Sequence, residues 1–290
     1  MWRSVNLILD GAWGEKDTAL VDSGVMLECR EWGKRLRYVA RRRDIEDFWR
    51  KNETYLMDAP FILYGSGDFH HLAGVLIRRI ADTPFTLVSL DNHPDWDIKP
   101  PYWSCGGWAA RALHTGRVER VSVWGCGNFE LRWPARLSAD WRALRAGRME
   151  IHAWAERQTP AVQKKFNCMT RENWRERFTR FAEGLKGRRV YVTVDMDCLR
   201  SEEAVTNWEN GLFAAADVAW AIGELRNSAQ IVGGDLCGAY SPPLYERWGQ
   251  KFAGKWDHPK LPPVDRAEAL KINLAALAKI WPALTGDKNH

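Results

Sequence analysis

The sequence predicts an α/β fold, in which a mostly parallel sheet of about eight strands lies between two layers of helices. Three observations lead to this prediction. Short runs rich in β-branched and aromatic residues alternate with helix-compatible stretches along the 290 residues, as in sheets whose parallel strands are joined by helices. Several runs are apolar almost throughout, which is typical of strands buried on both faces. Several runs also end in Asp or His, at the sheet edge where ligands bind in such folds.

Eight short runs are the predicted strands. They are "SVNLIL" (4–9), "RLRYVA" (35–40), "FILYGS" (61–66), "FTLVSLD" (85–91), "RVSVWG" (120–125), "MEIHAW" (149–154), "RVYVTVD" (189–195) and "QIVGGD" (230–235). The predicted helices lie at 44–57, 71–80, 107–113, 172–185, 214–225 and 266–280. The Pro-rich stretch 258–266 is predicted to be a loop before the last helix. Because the chain contains no repeat and no low-complexity linker, we expect residues 1–290 to form a single domain.

Composition excludes several classes of protein. A hydrophobic content of 46% with 27% charged residues is ordinary for a soluble globular protein. The net charge of +5 comes from short basic runs that flank strands, which favours solvated faces over a nucleic-acid groove. No apolar run is long enough to span a bilayer, and the N-terminus lacks the pattern of a signal peptide. Six cysteines without CxxC spacing indicate free thiols. We therefore expect a cytoplasmic protein that acts on a small molecule. Neither nucleic acid nor a membrane is expected as a partner, and the sequence leaves open whether the protein forms a homo-oligomer.

Clustered Asp and His residues follow three of the predicted strands. Asp91, His93 and Asp95 stand at alternate positions after one strand, and Asp195 and Asp197 do so after another; alternate residues point to one side of an extended chain. The His pair at 70–71 follows a third strand. A carboxylate at a single strand end is often only a helix cap, but three such ends at one sheet edge favour a site for two divalent cations. Oxygen-rich donors favour Mn²⁺, and the mixed nitrogen and oxygen set leaves nickel, cobalt, iron or zinc open.

The three clusters also resemble a known family. "GSGDFHHLAG", "LDNHPDWD" and "TVDMDCL" are similar, in order, to the three metal-binding motifs of the arginase and ureohydrolase superfamily, which includes arginase, agmatinase and formimidoylglutamase, with deacetylases as distant relatives. The resemblance covers about residues 60–242 and indicates a divergent member with an arginase-like fold. It implies two Mn²⁺ ions held by His70, Asp91, His93, Asp95, Asp195 and Asp197, with Asp91 and Asp195 as bridges. It also implies that a hydroxide between the metals attacks the carbon of a linear amidine, guanidino or amide C–N bond, with Asp95 orienting that nucleophile.

Departures from the family pattern concern the substrate and the proton donor. Cys105 stands where the family keeps a proton-shuttling His, so Cys105 and His71 are both candidate proton donors to the leaving amine. Gly238 stands where arginases and agmatinases keep a Glu that binds the cationic end of the substrate. We therefore expect arginine and agmatine to be poor substrates, unless another acidic residue such as Glu209 replaces that Glu.

Two alternative functions remain. A single-metal, deacetylase-like amidohydrolase has the same superfold, and a metal count of one per chain would favour it. A non-catalytic metal-binding family member is suggested by the missing Glu and by "CLRS" in place of the family's Asp-Pro. Unused buried carboxylates are costly, so the full ligand set favours an enzyme.

Overall fold

Nine parallel strands form the central sheet in a computed structural model that describes residues 4–14, 24–98 and 103–286. A further antiparallel pair, Val39–Ala40 with Trp103–Ser104, lies outside it. The strands are β1 (Ser4–Ile8), β2 (Gly24–Glu28), β3 (Val39–Ala40), β4 (Phe61–Tyr64), β5 (Phe85–Leu90), β6 (Trp103–Ser104), β7 (Val118–Cys126), β8 (Met149–Trp154), β9 (Asn167–Met169), β10 (Arg189–Asp195) and β11 (Gln230–Cys237). Their order across the sheet is β2-β1-β4-β11-β10-β5-β7-β8-β9. The predicted fold class is confirmed.

Seven of the eight predicted strands are present in the central sheet. The prediction of the run 35–40 as a sheet strand is wrong: Arg35 and Leu36 end a helix, and only Val39–Ala40 form a short strand, β3, outside the sheet. That helix buries Trp32 and Leu36, which are four residues apart and therefore on one helical face. The two strands of the central sheet that the sequence did not predict, β2 and β9, are its edge strands. Each is only partly buried, and its apolar run is shorter than those by which the other strands were found. The short strand β6, outside the central sheet, was not predicted either.

Ten helices fill the layers around the sheet within the described ranges. They are α1 (Arg30–Leu36), α2 (Arg42–Met57), α3 (Ala73–Leu76), α4 (Trp108–Leu113), α5 (Trp141–Arg145), α6 (Pro160–Gln163), α7 (Trp174–Gly184), α8 (Ala215–Ser228), α9 (Trp248–Asp257) and α10 (Arg266–Thr285). The predicted helix 71–80 is broken into three pieces: the end of a 3₁₀ turn (Gly67–Leu72), α3, and a second 3₁₀ turn (Ile77–Arg79). The segment after α9 is a loop, as predicted.

Alternate side chains of the strands enter two separate cores. Val190, Val192 and Val194 of β10 pack with α7, α8 and α10 on one face. Tyr191 packs on the other face with α3 and α4. Burying one such valine side chain stabilises the fold by roughly 1.5 kcal/mol. The period of two along the strand therefore produces the three layers.

The topology places four strand ends next to one another. β4, β11, β10 and β5 are consecutive in the sheet, and because they are parallel their carboxyl ends share one edge. His70 follows β4, Asp91 follows β5, and Asp195 ends β10. The single-domain expectation stays a prediction.

Two further observations concern the chain as a whole. Among the helices of the described residues, none has both the length and the hydropathy for a membrane span. All six cysteines are unpaired.

Candidate metal site

One group of side chains gathers around the imidazole of His70. Its Nδ1 lies 3.1 Å from Asp91 Oδ2, 3.2 Å from Asp95 Oδ2 and 3.4 Å from Asp195 Oδ2. All four residues are at least 95% buried. The Sγ of Cys237 also lies near this group, 3.6 Å from Asp195 Oδ2. Three carboxylates and one imidazole thus converge on one small volume.

A second group centres on His93 and shares a residue with the first. The Nδ1 of His93 lies 2.8 Å from Asp197 Oδ2 and 3.6 Å from Asp91 Oδ1. Asp91 therefore offers one oxygen to each group. Its Oδ2 is buried without a hydrogen-bond partner of good geometry. An unsatisfied buried carboxylate oxygen between two ligand groups fits a site for cations.

Local backbone geometry holds these loops in place. The carboxylate of Asp91 accepts the His93 N–H at 2.7 Å, and that of Asp195 accepts the Asp197 N–H at 3.1 Å. The Asn92 N–H donates to Asp197 Oδ1 at 3.1 Å, which joins the two loops. Asp95 has a left-handed backbone with φ 47°, a conformation that costs a non-glycine residue free energy and is concentrated at functional sites. Its carboxylate accepts a hydrogen bond from Trp108 Nε1.

The tautomer of His70 follows from its other ring nitrogen. His70 Nε2 lies 2.9 Å from Thr193 Oγ1, and the Thr193 hydroxyl donates to Asp235 Oδ1 at 2.7 Å. Since that hydroxyl has one proton, it accepts from His70 Nε2–H. Asp235 also accepts hydrogen bonds from the hydroxyls of Tyr64 at 3.1 Å and Tyr191 at 2.5 Å. This network leaves Nδ1 of His70 as the nitrogen that faces the carboxylates, as in many metal-binding histidines.

The pKa shifts in the cluster show that its carboxylates require protons or a cation to neutralise their charge. Burial and the nearby charge of Asp91 raise the pKa of Asp95 to about 7. Burial likewise raises the pKa of Asp195 and, with the Asp195 charge, that of Asp197. Burial alone would lower the pKa of His70, but the nearby carboxylates of Asp91 and Asp95 raise that pKa well above its ordinary value. Protons therefore neutralise the cluster where no cation does, and a bound cation would displace them.

The two candidate proton donors occupy different positions. Cys105 borders the cavity at the cluster, and burial raises the pKa of its thiol well above the usual range. His71 is fully buried, and neither ring nitrogen has a hydrogen-bond partner. Burial and the charge of His70 lower the pKa of His71 to about 3. His71 is not among the described residues that line the cavity, whereas His70 is.

Two neighbouring cavities, one of them at the cluster, share part of their lining. The inner one, of about 30 Å³, has the volume of about two water molecules. Beside it lies a larger one of about 270 Å³. Four residues line both: Cys105, Gly106, Glu130 and Asp257. Glu130, Asp257 and the inner-cavity residue Trp208 were not predicted from the sequence. Only Glu130 had a visible signal, since "CGNFE" follows the strand run at 120–125.

Gly238 occupies a place where no side chain fits. Its φ is +109°, and a Cβ there would lie 2.2 Å from Asp195 Oδ1 and 2.4 Å from Met196 N. The backbone conformation at Gly238 therefore excludes a carboxylate side chain at this position. Glu209, the proposed replacement, places Oε2 3.5 Å from His93 Nε2. Its carboxylate thus lies against His93, a candidate ligand that lines the inner cavity, whereas Glu209 itself is not among the described residues that line either cavity.

The chain is similar to several known proteins. No model of a known protein family matches the sequence. An uncharacterized protein of Thermotoga maritima is 27% identical over 219 residues, covering 75% of this chain and 66% of the relative. The chain thus spans slightly less than two thirds of the length of this relative.

Several solved structures are similar to nearly the whole chain. Proclavaminate amidinohydrolase of Streptomyces clavuligerus has a TM-score of 0.58 at 15% identity, covering 98% of this chain and 93% of the other. Arginase of Bacillus subtilis has 0.54 at 12% identity, covering 99% of each. Formimidoylglutamase of Bacillus subtilis has 0.55 at 12% identity, covering 99% and 88%. These likenesses show a common fold and confirm the arginase-like fold that the motifs implied.

Proposed function

From the arginase-like fold of this chain, we propose that it is a divergent ureohydrolase, a hydrolase that uses two divalent cations to cleave a linear amidine, guanidino or amide C–N bond. One observation carries the proposal: the two ligand groups share Asp91, which offers a different oxygen to each. A carboxylate in that position suits two neighbouring cations. The names of the similar structures, an amidinohydrolase, an arginase and a formimidoylglutamase, support the choice of bond.

The residues present fit the metals. His70, Asp91, Asp95 and Asp195 would hold one ion, and Asp91, His93 and Asp197 the other. We assign Asp195 as a second shared ligand, since its Oδ1 accepts the N–H of Asp197 in the second group. The oxygen-rich donors favour Mn²⁺. Such a pair of ions, when bound, acidifies water and polarises the bond to be cleaved.

The chain itself supplies orientation and shielding. Trp108 Nε1 holds one oxygen of Asp95, which fixes the carboxylate that we assign to orient the attacking water. Trp208 borders the inner cavity and packs edge-on against His93, with ring centroids 5.3 Å apart. The small inner cavity limits water near the reacting carbon, and the larger cavity takes the remainder of the substrate.

Metal analysis joined to a substrate screen tests the proposal. Protein purified without a chelating column and reconstituted with Mn²⁺ should hold two ions per chain. It should then release urea, ammonia or a formimino-derived product from at least one of arginine, agmatine, guanidine and a formimino compound. One metal per chain together with acetate release from an acetylated amine would instead indicate the deacetylase-like alternative. Two metals without turnover of any of these compounds would indicate a non-catalytic metal-binding protein.

The same screen tests the expectation that arginine and agmatine are poor substrates. A charge-assisted hydrogen bond in a shielded pocket contributes about 1.5–3 kcal/mol. Without a carboxylate at Gly238, the two compounds should be roughly ten- to a hundredfold poorer in kcat/KM than the best neutral compound. Efficient hydrolysis of arginine by the Mn²⁺ form would overturn this argument.

A further inference from the structure

We propose that Glu130 donates the proton to the amine that leaves when the C–N bond breaks. The inference rests on the proposed function, since it assigns one step of that reaction. Glu130 lies in the 3₁₀ turn Phe129–Leu131 that follows β7, the strand beside β5 in the sheet. None of the three motifs that resemble the superfamily includes it.

The position of Glu130 suits a group that touches the substrate. It lines both the inner cavity at the candidate ligands and the larger cavity beside it. Its Oε1 lies 3.8 Å from the place where a Cβ of Gly106 would stand, so the carboxyl borders the same loop as Cys105. A substrate whose reacting carbon lies at the inner cavity and whose amine extends outward passes this carboxyl.

The hydrogen bonds around Glu130 leave its carboxyl available to donate a proton. Its Oε2 is shielded from solvent and has no hydrogen-bond partner. Asp257, the other carboxylate that lines both cavities, accepts a hydrogen bond from the Tyr38 hydroxyl at 2.7 Å. Burial and the charges of Asp97 and Asp95 outweigh the nearby His93 and raise the pKa of Glu130 to about 8. The acid form is therefore present near neutral pH, as a general acid requires.

The other titratable groups are poorly suited to this step. The Cys105 thiol has a strongly raised pKa, which makes it a weak acid. His71 is fully buried and absent from the described lining of the cavity. His70 and His93 both have a nitrogen directed at the carboxylate cluster. Among the described residues of the inner cavity, Glu130 is thus the acid with neither a fixed partner nor a ligand role.

The step balances with one water. The attacking water forms a C–O bond and releases one proton. As the C–N bond breaks, its electron pair stays on the nitrogen, which takes the proton of Glu130 and leaves as a neutral amine. The proton released by the water restores the acid form of Glu130. One water is consumed, and no oxidant or reductant is needed.

The test compares two leaving groups in the Mn²⁺-loaded full-length chain. Glu130→Gln should lower kcat for an N-alkyl guanidine or amidine by about a hundred- to a thousandfold, because an alkylamine cannot leave unprotonated. For the matching N-nitrophenyl compound, whose amine is a far better leaving group, the loss should be less than about tenfold. The fall of kcat at high pH in the wild type should also disappear in the variant.

Controls separate this role from binding and folding. The exposed Glu183 of α7 provides the matched variant Glu183→Gln, which should keep wild-type kcat, and Glu130→Asp should recover part of the lost rate. Equal losses of kcat for both leaving groups, or a raised KM at unchanged kcat, would overturn the assignment of Glu130 while leaving the proposed function intact. Failure of the metal-loaded wild type to hydrolyse any of these compounds would overturn the proposed function and this inference together.

Discussion

At the scale of single residues, the arrangement of the site depends on which nitrogen of one imidazole carries a proton. The Thr193 hydroxyl donates its hydrogen bond to Asp235, so its oxygen accepts a hydrogen bond from His70 Nε2–H. Nδ1 is then directed at Asp91, Asp95 and Asp195. Thr193 has no described hydrogen bond to any of these carboxylates. It nevertheless determines which nitrogen of the imidazole can bind a cation.

Replacing this hydroxyl should weaken metal binding. Thr193→Val keeps the shape of the side chain but removes the acceptor of His70 Nε2, so Mn²⁺ affinity should fall about 10- to 100-fold. Isothermal titration of metal into the metal-free protein measures the change. The control is Thr179→Val, which removes a hydrogen bond to Glu224 on the helices α7 and α8 and should leave Mn²⁺ affinity as in the wild type. Equal affinities for the two variants would contradict the proposed orientation of His70.

The adjacent histidines should differ in the same measurement. His70→Ala removes a candidate ligand and should lower the Mn²⁺ content of the purified chain. His71→Ala should keep both metals, because neither ring nitrogen of His71 contacts the cluster. Loss of metal from the His71 variant alone would show that the two roles are exchanged.

Asp91→Ala should remove both metals, since Asp91 contributes an oxygen to each group. Metal counting by mass spectrometry distinguishes this result from the loss of a single ion. Retention of one Mn²⁺ per chain would mean that the two groups are independent, contrary to the shared-ligand assignment.

At the scale of elements, the end of β11 limits what the site can contain. Gly238 follows the strand with φ +109° and lies against Asp195 and the Met196 backbone, so the backbone passes where a side chain would stand. The same strand supplies Asp235, which orients Thr193. One element therefore both holds a candidate ligand in place and excludes a carboxylate from the site.

Substitution of Gly238 should damage the site. Gly238→Ala introduces a Cβ into the space of Asp195 Oδ1 and requires an unfavourable φ, so we expect a stability loss of about 1–3 kcal/mol together with weaker Mn²⁺ binding. Gly223 within α8 has no neighbour within 4 Å of its Cβ position; Gly223→Ala should instead stabilise the protein by about 0.5–1 kcal/mol. Urea unfolding of both variants provides the comparison. A Gly238→Ala variant with unchanged metal affinity would disprove the steric argument.

The features that could be predicted from the sequence are those that produce a regular pattern along the chain. The alternation of Asp91, His93 and Asp95 and the apolar runs of β4, β5 and β10 are visible along the chain. The orientation of the His pair depends on Thr193, far away in sequence, so no local pattern reveals it. Glu130 follows a strand like the other candidates but carries no neighbouring His or Asp, and its role arises only from the cavities that it borders. The short edge strands β2 and β9 were missed because only part of their surface is buried.

At the scale of the whole molecule, the crowded carboxylates link folding to protons and metal. Asp95 has a pKa of about 7 in the folded protein against an ordinary value of 3.8, and Asp195 and Asp197 are also raised. Between these pH values the folded state holds more protons than the unfolded state. Stability of the metal-free protein therefore falls as pH rises through this window. The raised pKa of His70 and His93 acts in the same direction, since their stabilisation is lost as pH rises through the folded-state value.

This linkage predicts opposite pH trends for stability and metal affinity. The Tm of metal-free protein should decrease from pH 5 to pH 8, and the increase in Tm caused by saturating Mn²⁺ should grow over the same range. Each proton displaced makes the Mn²⁺ affinity rise by up to about tenfold per pH unit. Titration calorimetry in buffers of different ionisation enthalpy counts those protons. A Tm of the metal-free protein that rises from pH 5 to pH 8 would contradict the assigned shifts.

The order of strands in the sheet has a consequence for how the protein is made. β11 lies between β4 and β10, although residues 230–237 are translated after the segments on either side of it. Until this last strand is inserted, β4 and β10 lack the neighbour that joins them, and His70 and Asp195 are not held at their final separation. A chain that ends before Gln230 contains all six candidate ligands but not the strand that brings them together. Metal binding by these ligands would therefore follow insertion of the last strand.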